Sequence, residues 1–168
     1  MKYLILVRHA KSDWSIPALN DIDRPLNERG YQSAYLMSTL LQKQKIFLDA
    51  IYTSPAVRAI TTALIFKRTF KLKTSNFHIE ETIYESSAQK LVQLVSRFDN
   101  TDSTCMLFGH NPSFTELFNE LASESILNMP TCGCAVLKFN IASWAEIKHA
   151  KAEVVFYSAP KNAINQTK

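Results

Sequence analysis

The stretch LILVRHA, Leu4–Ala10, decides how this chain folds. Its first four residues are apolar without a break, the pattern of a strand covered on both faces rather than on one. The run then meets a cation and an imidazole, Arg8 and His9. A buried strand ending on such a pair is a rigid mount for both side chains, so whatever they do is done from a fixed position.

Two further uninterrupted apolar runs lie downstream, at Ala50–Thr53 and Cys105–Phe108. Between the runs the apolar residues recur at helical spacing: Ala34, Met37 and Leu41, then Ile60, Ala63, Leu64, Phe66 and Phe70. The same spacing returns at Leu91, Leu94, Val95 and Phe98, and at Phe114, Leu117, Phe118 and Leu121. Alternation of strand and helix predicts an α/β three-layer sandwich, a mostly parallel central sheet with helices on both faces. The late runs CAVLKFN (134–140) and AEVVFY (152–157) read as two more strands, joined through a turn region around Trp144 into a hairpin at one sheet edge. The expected organisation is one domain over residues 1–158 and a polar, flexible tail over 159–168.

Composition agrees with one compact unit. At 168 residues and 46% hydrophobic, a single domain buries about 70% of the surface that its unfolded chain exposes. Lys and Arg number 19 against 15 Asp and Glu, a mild positive excess that suits anionic ligands. The basic residues are scattered, with no dense run interleaved with aromatics, which speaks against a nucleic-acid partner. Arg8 and His9 cut the first apolar run too short for a signal peptide, and no other run is long enough to cross a bilayer. The expectation is a cytoplasmic protein with no membrane partner. Cys105, Cys132 and Cys134 form no CxxC pair and read as reduced structural thiols.

Two helix starts are legible. SPAVRA places Ser54 as N-cap and Pro55 at the first helical position, and HNPSF repeats the arrangement with Asn111 and Pro112. Each follows an apolar strand at once, so in a parallel sheet both emerge at the carboxyl edge, where ligands bind. Arg8, His9, Arg58 and His110 thereby converge on one place. Two guanidinium groups, two imidazoles and two helix N-termini repel one another unless an anion sits among them, and phosphate matches the arginine forks and the free N–H groups.

LVRHA (6–10), Trp14, DRPLNERGYQSA (23–34), TSPAVRAITTA (53–63) and FGHNP (108–112) together resemble the histidine phosphatase (phosphoglycerate mutase-like) superfamily, most closely its small SixA-type phosphohistidine phosphatases. The resemblance implies a phosphoglycerate mutase-like fold and a set of roles. His9 matches the nucleophile that takes the phosphoryl group, Arg8 the arginine that clamps phosphate oxygens, Arg58 the second arginine, and His110 the second histidine. No metal or cofactor is implied. A histidine near its ordinary pKa of about 6.5 is largely neutral at pH 7 and can attack phosphorus.

Departures from the pattern fall at Ala10, where many members carry glycine, and at Ser15, where many carry a phosphate-binding asparagine. Ser15 is therefore a candidate substrate ligand. The proton donor of acid-using members is a glutamate after the third strand. Glu80, Glu81 and Glu85 stand in that region, and by position Glu85 fits best, as a catalytic acid or as an exposed loop charge. SixA-type enzymes lack that acid, which chemistry allows. Imidazole leaves phosphohistidine without the strong protonation that an alkoxide requires. Trp14 reads as a cap over the pocket or as loop packing, and His78 and His149 receive no role.

A nucleotide-binding domain fails on glycine: Gly30, Gly109 and Gly133 allow neither GxGxxG nor a P-loop. The expected function is hydrolysis of phosphohistidine, or a similarly activated phosphate, on a protein partner of the histidine-phosphotransfer type, through a covalent phosphohistidine on His9. The alternatives are a phosphomonoesterase for small phosphate esters and a non-catalytic phosphoprotein-binding module.

Overall fold

The structure, a computed structural model, describes residues 1–166, with side chains described to residue 163. Six strands form one sheet: β1 (Lys2–Arg8), β2 (Ala50–Thr53), β3 (Phe77–Ile79), β4 (Thr104–Gly109), β5 (Cys134–Phe139) and β6 (Glu153–Ser158). Their spatial order is β3-β2-β4-β1-β5-β6. β1, β2, β3 and β4 run parallel, β5 is antiparallel to β1, and β6 pairs antiparallel with β5 as the edge hairpin. The sheet is mostly parallel, as the sequence predicts.

Among the described residues five α-helices and four short 3-10 turns accompany the sheet, the α-helices being α1 (Glu28–Gln42), α2 (Val57–Thr69), α3 (Ala88–Val95), α4 (Ser113–Leu121) and α5 (Pro160–Gln166). Strand side chains alternate between the two faces. Leu4, Leu6, Cys105 and Leu107 point into one core with the α3 and α4 residues Leu91, Val95, Phe114 and Leu117. Ile5, Val7, Met106 and Phe108 point into the other with Met37, Leu41, Ala63 and Phe66 of α1 and α2. The result is a three-layer α/β sandwich. β1 and β4 lie centrally and are buried on both faces, which is why their sequences carry no polar alternation.

α1 starts where Asn27 accepts a hydrogen bond from the Gly30 N–H at 2.9 Å. Gly30 is needed there because a Cβ would collide with the Lys11 carbonyl. Close approach lets Asn27 N–H reach Lys11 O at 3.0 Å and closes residues 12–26 into a loop over the carboxyl edge of the sheet. Residues 159–168, expected to be a flexible tail, include the helix α5, whose Ala163 is buried in the second core; residues 167 and 168 lie outside the described part. Among the described residues no helix is long and apolar enough to cross a membrane.

Candidate active site

Arg8 is the last residue of β1, and His9 follows it with its N–H donated to Gly109 O at the end of β4. The parallel neighbour β4 thus fixes the His9 backbone from one side. Arg8 N–H donates to Gly133 O, and Cys132 N–H bonds back to the Arg8 and His9 carbonyls. Cys132 takes a left-handed φ of 58° to do so, a conformation that costs a side-chain-bearing residue about 1 kcal/mol and is held by its surroundings. Ala10, in contrast, keeps a negative φ and is fully buried, its N–H donated to Thr62 Oγ1 at 3.1 Å. Alanine therefore carries no backbone strain at the position where the family pattern has glycine.

The His9 ring is oriented by a hydrogen bond, Nδ1 to Ala10 O at 2.7 Å. A carbonyl only accepts, so Nδ1 carries the proton and the neutral ring presents its lone pair on Nε2. Burial pushes the His9 pKa down to about 4, against the hydrogen bond to Ala10 and with the charges of Arg58 and Arg8. His9 is thus an unprotonated imidazole at neutral pH. The His110 ring lies 4.9 Å from it, centroid to centroid. Burial, then His9 and Arg58, push the His110 pKa down to about 3. His110 Nδ1 faces Arg58 Nη2 at 3.4 Å, and its Nε2 lies 2.8 Å from the Ser54 hydroxyl.

Arg8, His9, Arg58 and His110, which are scattered along the sequence, therefore meet at one spot. Arg8 donates from Nη1 to Met129 O at 2.7 Å, while its Nε–H is buried without an acceptor. A buried donor left unpaired is costly, and an anion oxygen is the natural partner. Arg58 is buried in the first turn of α2. Its Nη2 bonds Asp21 Oδ2 at 2.8 Å, and its Nη1 bonds Asp21 O.

Glu85 is exposed, with φ 50°, and lines a cleft of about 230 Å³ together with Arg58, His110, Tyr84 and Asp21. Ser15 lies apart from that cleft in the exposed loop, its N–H donated to the Asp13 carboxylate at 2.8 Å. Trp14 is 70% exposed, with the Arg24 guanidinium over one face, so it neither fills the core nor lines the cleft.

Both helix starts differ from the sequence reading. α2 begins two residues later than Ser54–Pro55 implies, with Ala56 as N-cap. The Ser54 hydroxyl instead accepts the Ala56 N–H and meets His110. α4 begins at Ser113, and the Asn111 carboxamide is diverted to Asn128 Oδ1 and Met129 O. A polar side chain beside a functional ring has a competing partner, and here that partner wins over the cap. Sequence reasoning also missed Asp21 and Tyr84, whose hydroxyl donates to Asp21 Oδ2 at 2.9 Å; Asp21 carries no local signal beyond its place just before the DRPLNERG segment. Among the described residues no group of His, Cys, Asp and Glu is arranged to hold a metal ion. The three cysteines are free and buried, and burial raises their thiol pKa values.

Arg58 and His110 line the cleft, and the unprotonated His9 ring lies against His110 with Arg8 next to it in sequence, a set equipped to hold an anion such as a phosphoryl group. The model of the histidine phosphatase superfamily (branch 1) matches residues 4–100. An uncharacterized chloroplastic protein of Arabidopsis thaliana is 30% identical over 151 residues, 85% of this chain and 69% of that protein. Among solved structures, a Nakamurella multipartitia protein designated a phosphohistidine phosphatase SixA superposes with a TM-score of 0.82 at 22% identity, over 95% of this chain and 96% of that one. The protein histidine phosphatase SixA complexed with tungstate superposes with a TM-score of 0.81 at 19% identity, over 95% and 98%.

Proposed function

This chain belongs to the histidine phosphatase superfamily, and on that premise we propose that it is a phosphatase working through a phosphorylated His9, with phosphohistidine on a protein partner as its substrate. The observation that carries the proposal is the His9 ring. Its Nδ1–H is tied to Ala10 O, its Nε2 lone pair is free, and it is desolvated between guanidinium groups.

In the first step Nε2 attacks phosphorus in line with the leaving group, and the P–N or P–O bond of the substrate breaks as the P–N bond to His9 forms. Arg8 and Arg58 offset the charge on the equatorial oxygens. His110, held by Ser54, supplies an imidazole beside the same oxygens; burial first, then His9 and Arg58, keep this ring unprotonated, and an arriving phosphoryl dianion counteracts the Arg58 part of that shift. In the second step water attacks the phosphohistidine, and His9 departs as the neutral ring it was before. No cofactor enters this scheme.

Tungstate bound to the SixA protein is an oxyanion, which supports reading the hollow as a phosphate site. A small phosphomonoester is the second substrate class, favoured by Glu85 on the cleft wall, where a carboxyl group could protonate an alkoxide. Incubation with a phosphohistidine-bearing domain, an aryl phosphate and a sugar phosphate ranks the classes by rate. The expected result is fastest turnover of the phosphohistidine domain and an acid-labile, base-stable phosphoenzyme that disappears in His9→Ala. Binding of phosphoprotein with turnover of none of the three would instead make the chain a binding module.

A further inference from the structure

Asp21 stands at the seam of two clefts. One is the 230 Å³ cleft over Arg58 and His110. The other, of about 360 Å³, is lined by Trp14, Ile16, Pro17, Leu19 and Arg24, and Asp21 belongs to both. We infer that Asp21 sets the specificity of the leaving-group side: its carboxylate holds the N–H of a protonated phosphoimidazole ring, which then departs as neutral imidazole. The inference rests on the phosphatase reading above and names what that site does with its leaving group.

Three observations carry it. Arg58 gives Asp21 one N–H from each terminal nitrogen, and the same Nη2 faces His110. A phosphoryl group gripped by Arg58 and attacked by His9 therefore has Asp21 beside it, on the wall of the cleft. Next, the carboxylate has capacity to spare. Oδ2 takes Arg58 and Tyr84, whereas Oδ1 has only Arg24 at a long 3.4 Å, and the side chain is 53% exposed. Finally, the group is ionised at neutral pH. Desolvation raises its pKa, but the hydrogen bonds from Arg58 and Tyr84 and the charges of Arg58 and Arg24 outweigh it and hold the carboxyl below its ordinary value.

An ionised carboxylate has no proton for an alkoxide, yet it is a strong acceptor for an imidazolium N–H. The balance closes without proton transfer to the leaving atom. The substrate ring is cationic, phosphorylated on one nitrogen and protonated on the other. His9 Nε2 forms its bond to phosphorus, and the electron pair of the broken P–N bond returns to the ring and cancels its charge. The proton on the far nitrogen stays on that nitrogen, donated to the Asp21 carboxylate in a hydrogen bond, and leaves with the neutral ring. When Arg58 turns its charge to the phosphoryl oxygens, Asp21 keeps only the long Arg24 contact, and its carboxylate stands beside a cleft walled by Trp14, Ile16, Pro17 and Leu19, a surrounding that suits an imidazolium ring on a protein surface.

The test compares two leaving groups on the full chain: phosphohistidine, and 4-nitrophenyl phosphate, whose nitrophenolate departs without a proton. Asp21→Asn is expected to lower both rates by loosening Arg58, and to lower the ratio of kcat/KM values, phosphohistidine over nitrophenyl phosphate, by about tenfold or more. Asp21→Glu, which returns the charge, is expected to recover part of that ratio. Equal losses on both substrates, or a ratio unmoved by either variant in an enzyme still phosphorylated on His9, would overturn the inference and leave the phosphatase reading standing. A wild-type chain that turns over neither substrate and forms no phosphoenzyme would end both.

Discussion

Replacing His9 with glutamine removes a proton site whose behaviour the structure specifies. In the folded chain the ring pKa is pushed from 6.5 to about 4 by burial, with Arg58 and Arg8 adding to the shift. Between those values only the unfolded chain takes up the proton. The stabilisation is therefore fully present above about pH 6.5, is lost as the pH falls toward 4, and changes no further below that. At about 1.4 kcal/mol per pH unit the whole shift is worth about 3 kcal/mol, of which about 2 kcal/mol is lost by pH 5. In a domain of this size each kcal/mol moves the melting temperature by about 2–4 °C, so His9 accounts for a fall of about 4–8 °C between pH 7 and pH 5. Thermal unfolding followed by circular dichroism at the two pH values measures it. Losses from carboxylates, and from His110 through its own burial, occur in both proteins, so the wild type should fall further than His9→Gln by at least that margin. Equal falls would refute the reasoning, because they would mean that the ring accepts a proton where it stands and is not desolvated among guanidinium groups.

Ser54→Ala removes the hydroxyl 2.8 Å from His110 Nε2; a drop in kcat on an aryl phosphate of about tenfold, with a smaller change in KM, is expected from loss of one buried hydrogen bond. Gly30→Ala drives a Cβ into the Lys11 carbonyl, and overpacking of that kind should cost about 1–3 kcal/mol, read as a melting temperature lower by about 2–12 °C. For Glu85→Gln, on the cleft wall, turnover of an alkyl ester should slow more than turnover of phosphohistidine, and equal slowing would remove Glu85 from the role of acid. Inorganic phosphate in excess should raise the melting temperature of the wild type, and Arg58→Ala should abolish most of that rise.

Much of the site was legible because its parts sit at strand ends. An apolar run that stops at Arg8-His9 announces both the strand and the edge from which the pair projects, and FGHNP does the same for His110. These are local facts, written in consecutive residues. The helix starts were legible only to within two residues, because Ser54 and Asn111 each have two possible hydrogen-bond partners and the sequence names only the nearer one. β3, three residues long at the sheet edge, shows no apolar run of its own; it exists because the edge of β2 offers it unpaired backbone groups. α5 was hidden in a polar segment for a similar reason, since Ala163 needs the second core beneath it to be buried at all.

By itself the sequence determined the α/β order, the two cores through alternation of buried strands and amphipathic helices, and the identity of four side chains able to handle phosphate. Those depend on patterns within a few residues or on residue chemistry, which travel with the chain. Only the tertiary structure decided that Asp21 takes hold of Arg58 from 37 residues away, that Ser54 serves His110 rather than its helix, and that Ala10 O assigns the proton of His9 to Nδ1. Each is a choice among competing hydrogen-bond partners, and such a choice is made by distances that exist only once the sheet has brought its carboxyl edge together.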